Sequence, residues 1–141
     1  MTINILQLPV SAIFLYSIFA SFLLIYAPFL VVSYARFRVG YDIASPRTMF
    51  DKLPPYGQRA TWAHQNSFET FMVFSAAALM AYVTGVNSQT SAVAAVAFVV
   101  ARLLYSIFYI LNIPILRSLM FAVGGLCSLT LFVQSLIQVR G

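Results

Sequence analysis

The stretch Arg59-Ala-Thr-Trp-Ala-His-Gln-Asn-Ser-Phe-Glu69 runs without a break into Thr70-Phe-Met-Val-Phe-Ser-Ala-Ala-Ala-Leu-Met-Ala-Tyr-Val83. The second half is long and apolar enough to continue one helix, so Asn66 and Glu69 are carried to the edge of a membrane or into it. A carboxylate at a bilayer centre costs roughly 2.5–3.5 kcal/mol on insertion scales, and such a residue reads as functional by default. The chain has three acidic residues, and Glu69 is the one placed in lipid-like surroundings.

Composition around this stretch sets the class. Of 141 residues, 62% are hydrophobic and 8% charged, against about a quarter charged in a soluble domain. Such a chain cannot cover a soluble surface. It reads as an integral membrane domain occupying the whole of 1–141, with 13 Phe and 8 Tyr suited to lipid-facing and interfacial positions. The net charge of +5 does not point to nucleic acid, because the basic residues flank apolar spans, where they set topology and meet anionic lipid heads. Cys127 is the single cysteine and His64 the single histidine, so neither a disulfide nor a histidine-rich metal site is expected. Cys127 reads as a small buried hydrophobe and His64 as a packing or interfacial residue. No cleavable signal peptide is evident, since a basic n-region is lacking and the first apolar run is too long.

Lengths near 20 apolar residues predict four spans: about Val10–Tyr34 with a kink at Pro28, Arg59 to Thr84-Gly85, Ser91–Leu111 and Leu116–Val139. The stretch Val39–Gln58 reads as loop because of its prolines and glycines, with Asp42 and Asp51 solvated or paired with Arg47 and Lys52. Gly124-Gly125 is expected to permit close approach of helices. Arg36, Arg38, Arg47, Lys52, Arg59 and Arg117 lie on one side of this topology and Arg140 on the other. The positive-inside rule then puts the first loop and third turn in the cytosol and both termini away from it.

Residues three and four apart share a helix face. That aligns Arg59, Trp62, Asn66 and Glu69 on the second helix, and Arg102, Tyr105 and Tyr109, with Ser106 beside them, on the third. Both stripes lie toward the cytosolic end, and a Glu69–Arg102 pair is expected between them. The surplus of polar groups forms a cationic, hydroxyl-rich crevice suited to a small anionic ligand. Trp62 reads as an interfacial anchor or a wall of that crevice.

These residues carry a resemblance. Arg59 with Ala63-His64-Gln65-Asn66-Ser67-Phe68-Glu69 resembles the second-helix N-x-x-E signature of the MAPEG family, the membrane-associated proteins in eicosanoid and glutathione metabolism. Arg102-Leu-Leu-Tyr105-Ser-Ile-Phe-Tyr109 resembles its third-helix signature, and Pro114-Ile-Leu-Arg117-Ser118 the start of the fourth helix in bacterial members. The resemblance implies an all-α, four-helix membrane bundle assembled as a homotrimer, with glutathione as co-substrate between subunits on the cytosolic side. It implies a transferase or peroxidase acting on lipophilic small molecules that arrive from membrane lipid. Arg36 or Arg38 from a neighbouring subunit, with Arg59, Asn66, Glu69, Arg102, Tyr105 and Tyr109, would bind glutathione. Arg117 and Tyr105 would serve the reacting thiolate. The chain departs from studied members at Trp62, where they have an arginine, and at Thr70, where some have tyrosine. A non-catalytic membrane interaction or lipid-binding protein of the same fold is the alternative, and a small transporter fits less well because the outer halves of the helices hold few polar groups.

Overall fold

A computed structural model describes residues 8–141. Four long α-helices follow one another: α1 (Val10–Arg38), α2 (Pro55–Val83), α3 (Gln89–Ile110) and α4 (Pro114–Arg140). A 3-10 helix, Pro46–Lys52, sits in the first loop. At 1.5 Å per residue the four helices are about 33 to 44 Å long, enough for a hydrocarbon core of ~30 Å. By length and composition, α1, α3 and α4 are able to cross a membrane. The helix α2 is as long as α1 but carries Gln58, Arg59, His64, Gln65, Asn66 and Glu69 in its first half, which dilutes its hydropathy.

The expected loop between the first two helices is shorter than its composition suggested. Pro54 and Pro55 start α2 rather than precede it, because a proline at the first helical position loses no hydrogen bond and has φ preset. Pro114 opens α4 in the same way. The side chain of Ser88 caps α3, its Oγ accepting from Ser91 N–H at 3.2 Å. Two Schellman closures end α2 and α3. Gly85 (φ +73°) ends the first, with Val86 N–H donating to Ala81 O at 3.0 Å. Asn112 (φ 60°) ends the second, with Ile113 N–H donating to Phe108 O at 2.8 Å. In the first loop Asp42 turns on its own backbone, its Oδ1 accepting from Ala44 N–H at 3.0 Å and Ser45 N–H at 3.3 Å.

In the packing, α2 and α3 each touch both flanking helices, α1 and α4. The core is built from small residues and two large rings. Ala77, Ala78, Ala81, Ala94 and Ala95 let backbones approach, and Phe74 and Phe98 stack between them at 3.8 Å with planes 3° apart. Cys127 is buried in the same cluster. Helix α1 meets the start of α2 over Gly57, where an added Cβ would lie 2.8 Å from Ala35 Cβ.

Pro28 stands inside α1 without ending it. It leaves the carbonyl of Leu24 without its usual donor and crowds that turn. The next carbonyl, of Ile25, accepts a hydrogen bond from Nδ1 of His64 on α2 at 2.7 Å, which requires the proton on Nδ1. The rings of Tyr26, Phe29 and Phe68 surround the imidazole at 5.0 to 6.0 Å. His64 is therefore the tie between α1 and α2 at the proline.

Candidate functional site

The functional side chains gather where the first halves of α2 and α4 meet the last half of α3. The polar stripe of α2 splits there. Arg59 turns toward the end of α3, where its Nε donates to Ile110 O at 3.0 Å. A guanidinium at a helix C-terminus satisfies an orphan carbonyl and suits the negative end of the macrodipole. Trp62, Asn66 and Glu69 face an open cleft of about 370 Å³, completed by Gln65 and Tyr109. Trp62 is the wall of this cleft. Its indole lies between Phe50 of the 3-10 helix and Tyr109, with ring centroids at 5.5 and 6.4 Å. The cleft thus stands at the end of the molecule that carries the first loop.

Glu69 and Arg102 do not pair directly. Asn66 stands between them: Nη2 of Arg102 donates to Asn66 Oδ1 at 2.8 Å, and Nδ2 of Asn66 donates to Glu69 Oε2 at 3.3 Å. Shared depth brought the two helices' charges together, but the shorter amide occupies the gap. Arg102 is 4% exposed and lies 4.0 Å over the ring of Tyr105, as i and i+3 spacing on α3 dictates. Tyr105 is itself buried and lines neither this cleft nor the cavity beside it. Arg117, from the first turn of α4, packs over the ring of Tyr109 at 4.6 Å.

A second cavity, of about 270 Å³, adjoins the cleft and shares Asn66 and Glu69 with it. Its walls are mainly apolar, with Val73, Phe98 and Phe121 beside Gly124 and Gly125 on α4, but Arg102, Thr70 and Ser128 line it too. The two glycines differ. A Cβ on Gly124 would lie 3.6 Å from the Phe98 ring, in ordinary contact, so the expected need for close approach is not seen there, whereas a Cβ on Gly125 would meet nothing within 4 Å. Gly125 therefore leaves space rather than contact. Arg36 and Arg38, at the end of α1, line neither cavity. The Arg36 guanidinium lies 6.0 Å from the ring centre of Phe29.

Of the residues marked by the sequence, Asn66, Glu69 and Tyr109 meet at the open cleft, with Arg117 stacked on Tyr109 and Arg102 behind Asn66 in the wall of the adjoining cavity. Gln65 and Phe50 were not foreseen. Gln65 directly precedes Asn66, which was a usable signal; the approach of Phe50 depends on the 3-10 helix folding back on α2.

An amide–carboxylate pair on α2 thus stands between an open cleft and a mainly apolar cavity. The family model of the MAPEG family matches residues 13–137, and the chain belongs to that family. The family includes glutathione transferases and related enzymes, and its members are typically trimers. No curated protein and no solved structure matches the chain.

Proposed function

We propose that this protein is a glutathione-dependent membrane transferase or peroxidase acting on lipophilic electrophiles at the cytosolic side of the bilayer, working as a homotrimer of four-span subunits whose termini face away from the cytosol. The observation that carries this reading is the Asn66–Glu69 pair, which lines both the open cleft and the apolar cavity of a MAPEG chain. Asn66, Glu69 and Tyr109 bind the peptide-like arms of glutathione in the cleft, the Glu69 carboxylate taking its ammonium. The apolar cavity receives part of the lipophilic partner. Free thiols titrate near pH ~8.5, and only the thiolate is a good nucleophile. The Arg117 guanidinium, held at the edge of the cleft by Tyr109, raises the thiolate fraction at neutral pH. The carboxylates of glutathione need cations that the lining of the open cleft lacks, and Arg36 or Arg38 of the partner subunit supplies them.

One observation favours a non-catalytic lipid-binding protein of the same fold. The lining of the open cleft, Trp62, Gln65, Asn66, Glu69 and Tyr109, contains no basic group, and Arg59 is engaged at the end of α3. The two readings separate in a conjugation assay. Purified protein in detergent, given glutathione and chlorodinitrobenzene or a lipid hydroperoxide, turns over under the enzyme reading. Absence of turnover with both substrates, in protein that still assembles, selects the lipid-binding reading.

A further inference from the structure

Phe121, Gly124, Gly125 and Ser128 stand at i, i+3, i+4 and i+7 on α4 and so share one face. Asn66, Glu69, Thr70 and Val73 repeat that spacing on α2. Both faces line the mainly apolar cavity. The two helices run the same way, because Arg59 near the start of α2 reaches Ile110, just before α4 begins. Seven residues of helix rise about 10 Å, so the cavity has a polar end at Asn66 and Glu69 and a deep end, about 10 Å along, at Val73 and Ser128.

Two features of the α4 face serve no packing purpose. Ser128 is 3% exposed, yet its hydroxyl makes no hydrogen bond among the described residues. A hydroxyl inside a helix ordinarily turns back on a carbonyl of the preceding turn. Thr130 and Ser135 of the same helix do so, to Leu126 O at 2.8 Å and Leu131 O at 2.7 Å. Thr70 does so on α2, to Asn66 O at 3.0 Å. Buried polar groups find partners, and Ser128 faces a cavity in which a ligand can supply one. Gly125 is the second feature. Glycine weakens a helix interior relative to alanine, and packing does not require it here, since an added Cβ would meet nothing. Gly125 is exposed near the middle of α4, so the cavity opens there at a depth where a chain dissolved in lipid can enter.

We propose that Gly125 and Ser128 determine which lipophilic partner is taken: Gly125 leaves room for its chain, and the Ser128 hydroxyl donates to an oxygen at the chain's far end. The substrate class is a chain with its electrophilic carbon at the polar end and a hydroxyl or carbonyl oxygen roughly 10 Å away, the length of the cavity face. The inference rests on the glutathione reading for the reaction, but not for occupancy of the cavity.

The test compares trans-2-nonenal with 9-hydroxynon-2-enal, which carries an oxygen at the far end, in detergent-purified protein with glutathione. The thiolate sulfur bonds to the β-carbon of the enal, the C=C pair moves to the α-carbon, and that carbon takes up the proton the thiol released. 1-Nonanol reports occupancy without reaction, through the rise in melting temperature that a ligand of the folded state produces. Gly125→Leu should lower kcat/KM for both enals by about tenfold or more and abolish the 1-nonanol shift. Its glutathione Kd should stay within about twofold of native, since Gly125 does not line the open cleft. Gly125→Ala should fall between the two and melt no lower than the native protein. Ser128→Ala should erase a native preference of about threefold to tenfold for the hydroxy enal, the effect of one hydrogen bond. Unchanged rates and an unchanged 1-nonanol shift in Gly125→Leu would overturn the proposal. Equal rates for the two enals in the native protein, or a preference that survives Ser128→Ala, would overturn the part played by Ser128. A Gly125→Leu protein whose native mass spectrum shows lost assembly would make the space a subunit contact and overturn the part played by Gly125. Should native protein turn over neither enal, the glutathione reading fails, and the 1-nonanol shifts of native, Gly125→Leu and Ser128→Ala protein still decide the cavity.

Discussion

Glu69 is exposed, yet its carboxylate is held by Asn66 from one side, so its recognition chemistry can be separated from its place in the fold. Gln at that position still accepts from Asn66 Nδ2 but cannot pair with an ammonium. Glu69→Gln should therefore melt like the native protein and bind glutathione at least tenfold more weakly, since a bond to a charged group is worth about 1.5–3 kcal/mol. Equal affinity in the folded variant would remove Glu69 from the ligand site. Trp62 poses the converse question. It walls the cleft where studied relatives place an arginine, and Arg59 is too engaged with Ile110 to substitute. Trp62→Arg should tighten glutathione binding about tenfold, a charge-assisted bond placed opposite Glu69. Calorimetry on variant protein that still assembles decides it, and an unchanged Kd would show that the cleft does not lack a cation.

At the scale of elements, two close contacts hold the site's helices in register. Gly57 lets α2 start against α1, and the Cβ of an alanine there would lie 2.8 Å from Ala35 Cβ, with both sides backbone-anchored. Gly57→Ala should lower stability by about 1–3 kcal/mol, visible as a drop in melting temperature; an unchanged or raised melting point would mean that the helices part easily. His64 ties α2 to α1 beside Pro28. His64→Phe keeps the aromatic packing and removes the donor to Ile25 O, at a cost of about 0.5–1.5 kcal/mol for one lost hydrogen bond, since that carbonyl keeps the Phe29 N–H of its own helix. A stability equal to the native protein's would show that the bond adds nothing to the packing of the two helices.

These contacts mark where the sequence could be read and where it could not. Helices α1, α3 and α4 follow from apolar length and α2 from the apolar run of its second half, and the turns at Gly85 and Asn112-Ile113-Pro114 from chemistry that is local. The start of α2 was misplaced because Pro54-Pro55 was read as a breaker, although proline breaks a helix only past its first turn. Asn66, Glu69 and Tyr109 share a cleft as helical spacing predicts. Arg59 left its stripe because its partner is a carbonyl fifty-one residues away, and the expected Glu69–Arg102 pair became a relay because side-chain reach, not axial depth, decides which groups touch. The space beside Gly125 was illegible for the same reason: a glycine next to nothing and a glycine under pressure look alike in sequence.

For the molecule as a whole, membership in the MAPEG family and three helices able to span a bilayer make it a membrane protein, and the proposed trimer would give the exposed cleft its missing cations. Native mass spectrometry in detergent should show three copies, and a stable monomer would remove Arg36 and Arg38 of the partner subunit from the site. The most direct measurement is calorimetric titration of glutathione into the assembled, detergent-purified protein. The account predicts saturable binding with a Kd between micromolar and millimolar, lost in Glu69→Gln. Heats no larger than those of dilution, from protein that remains assembled, would contradict it.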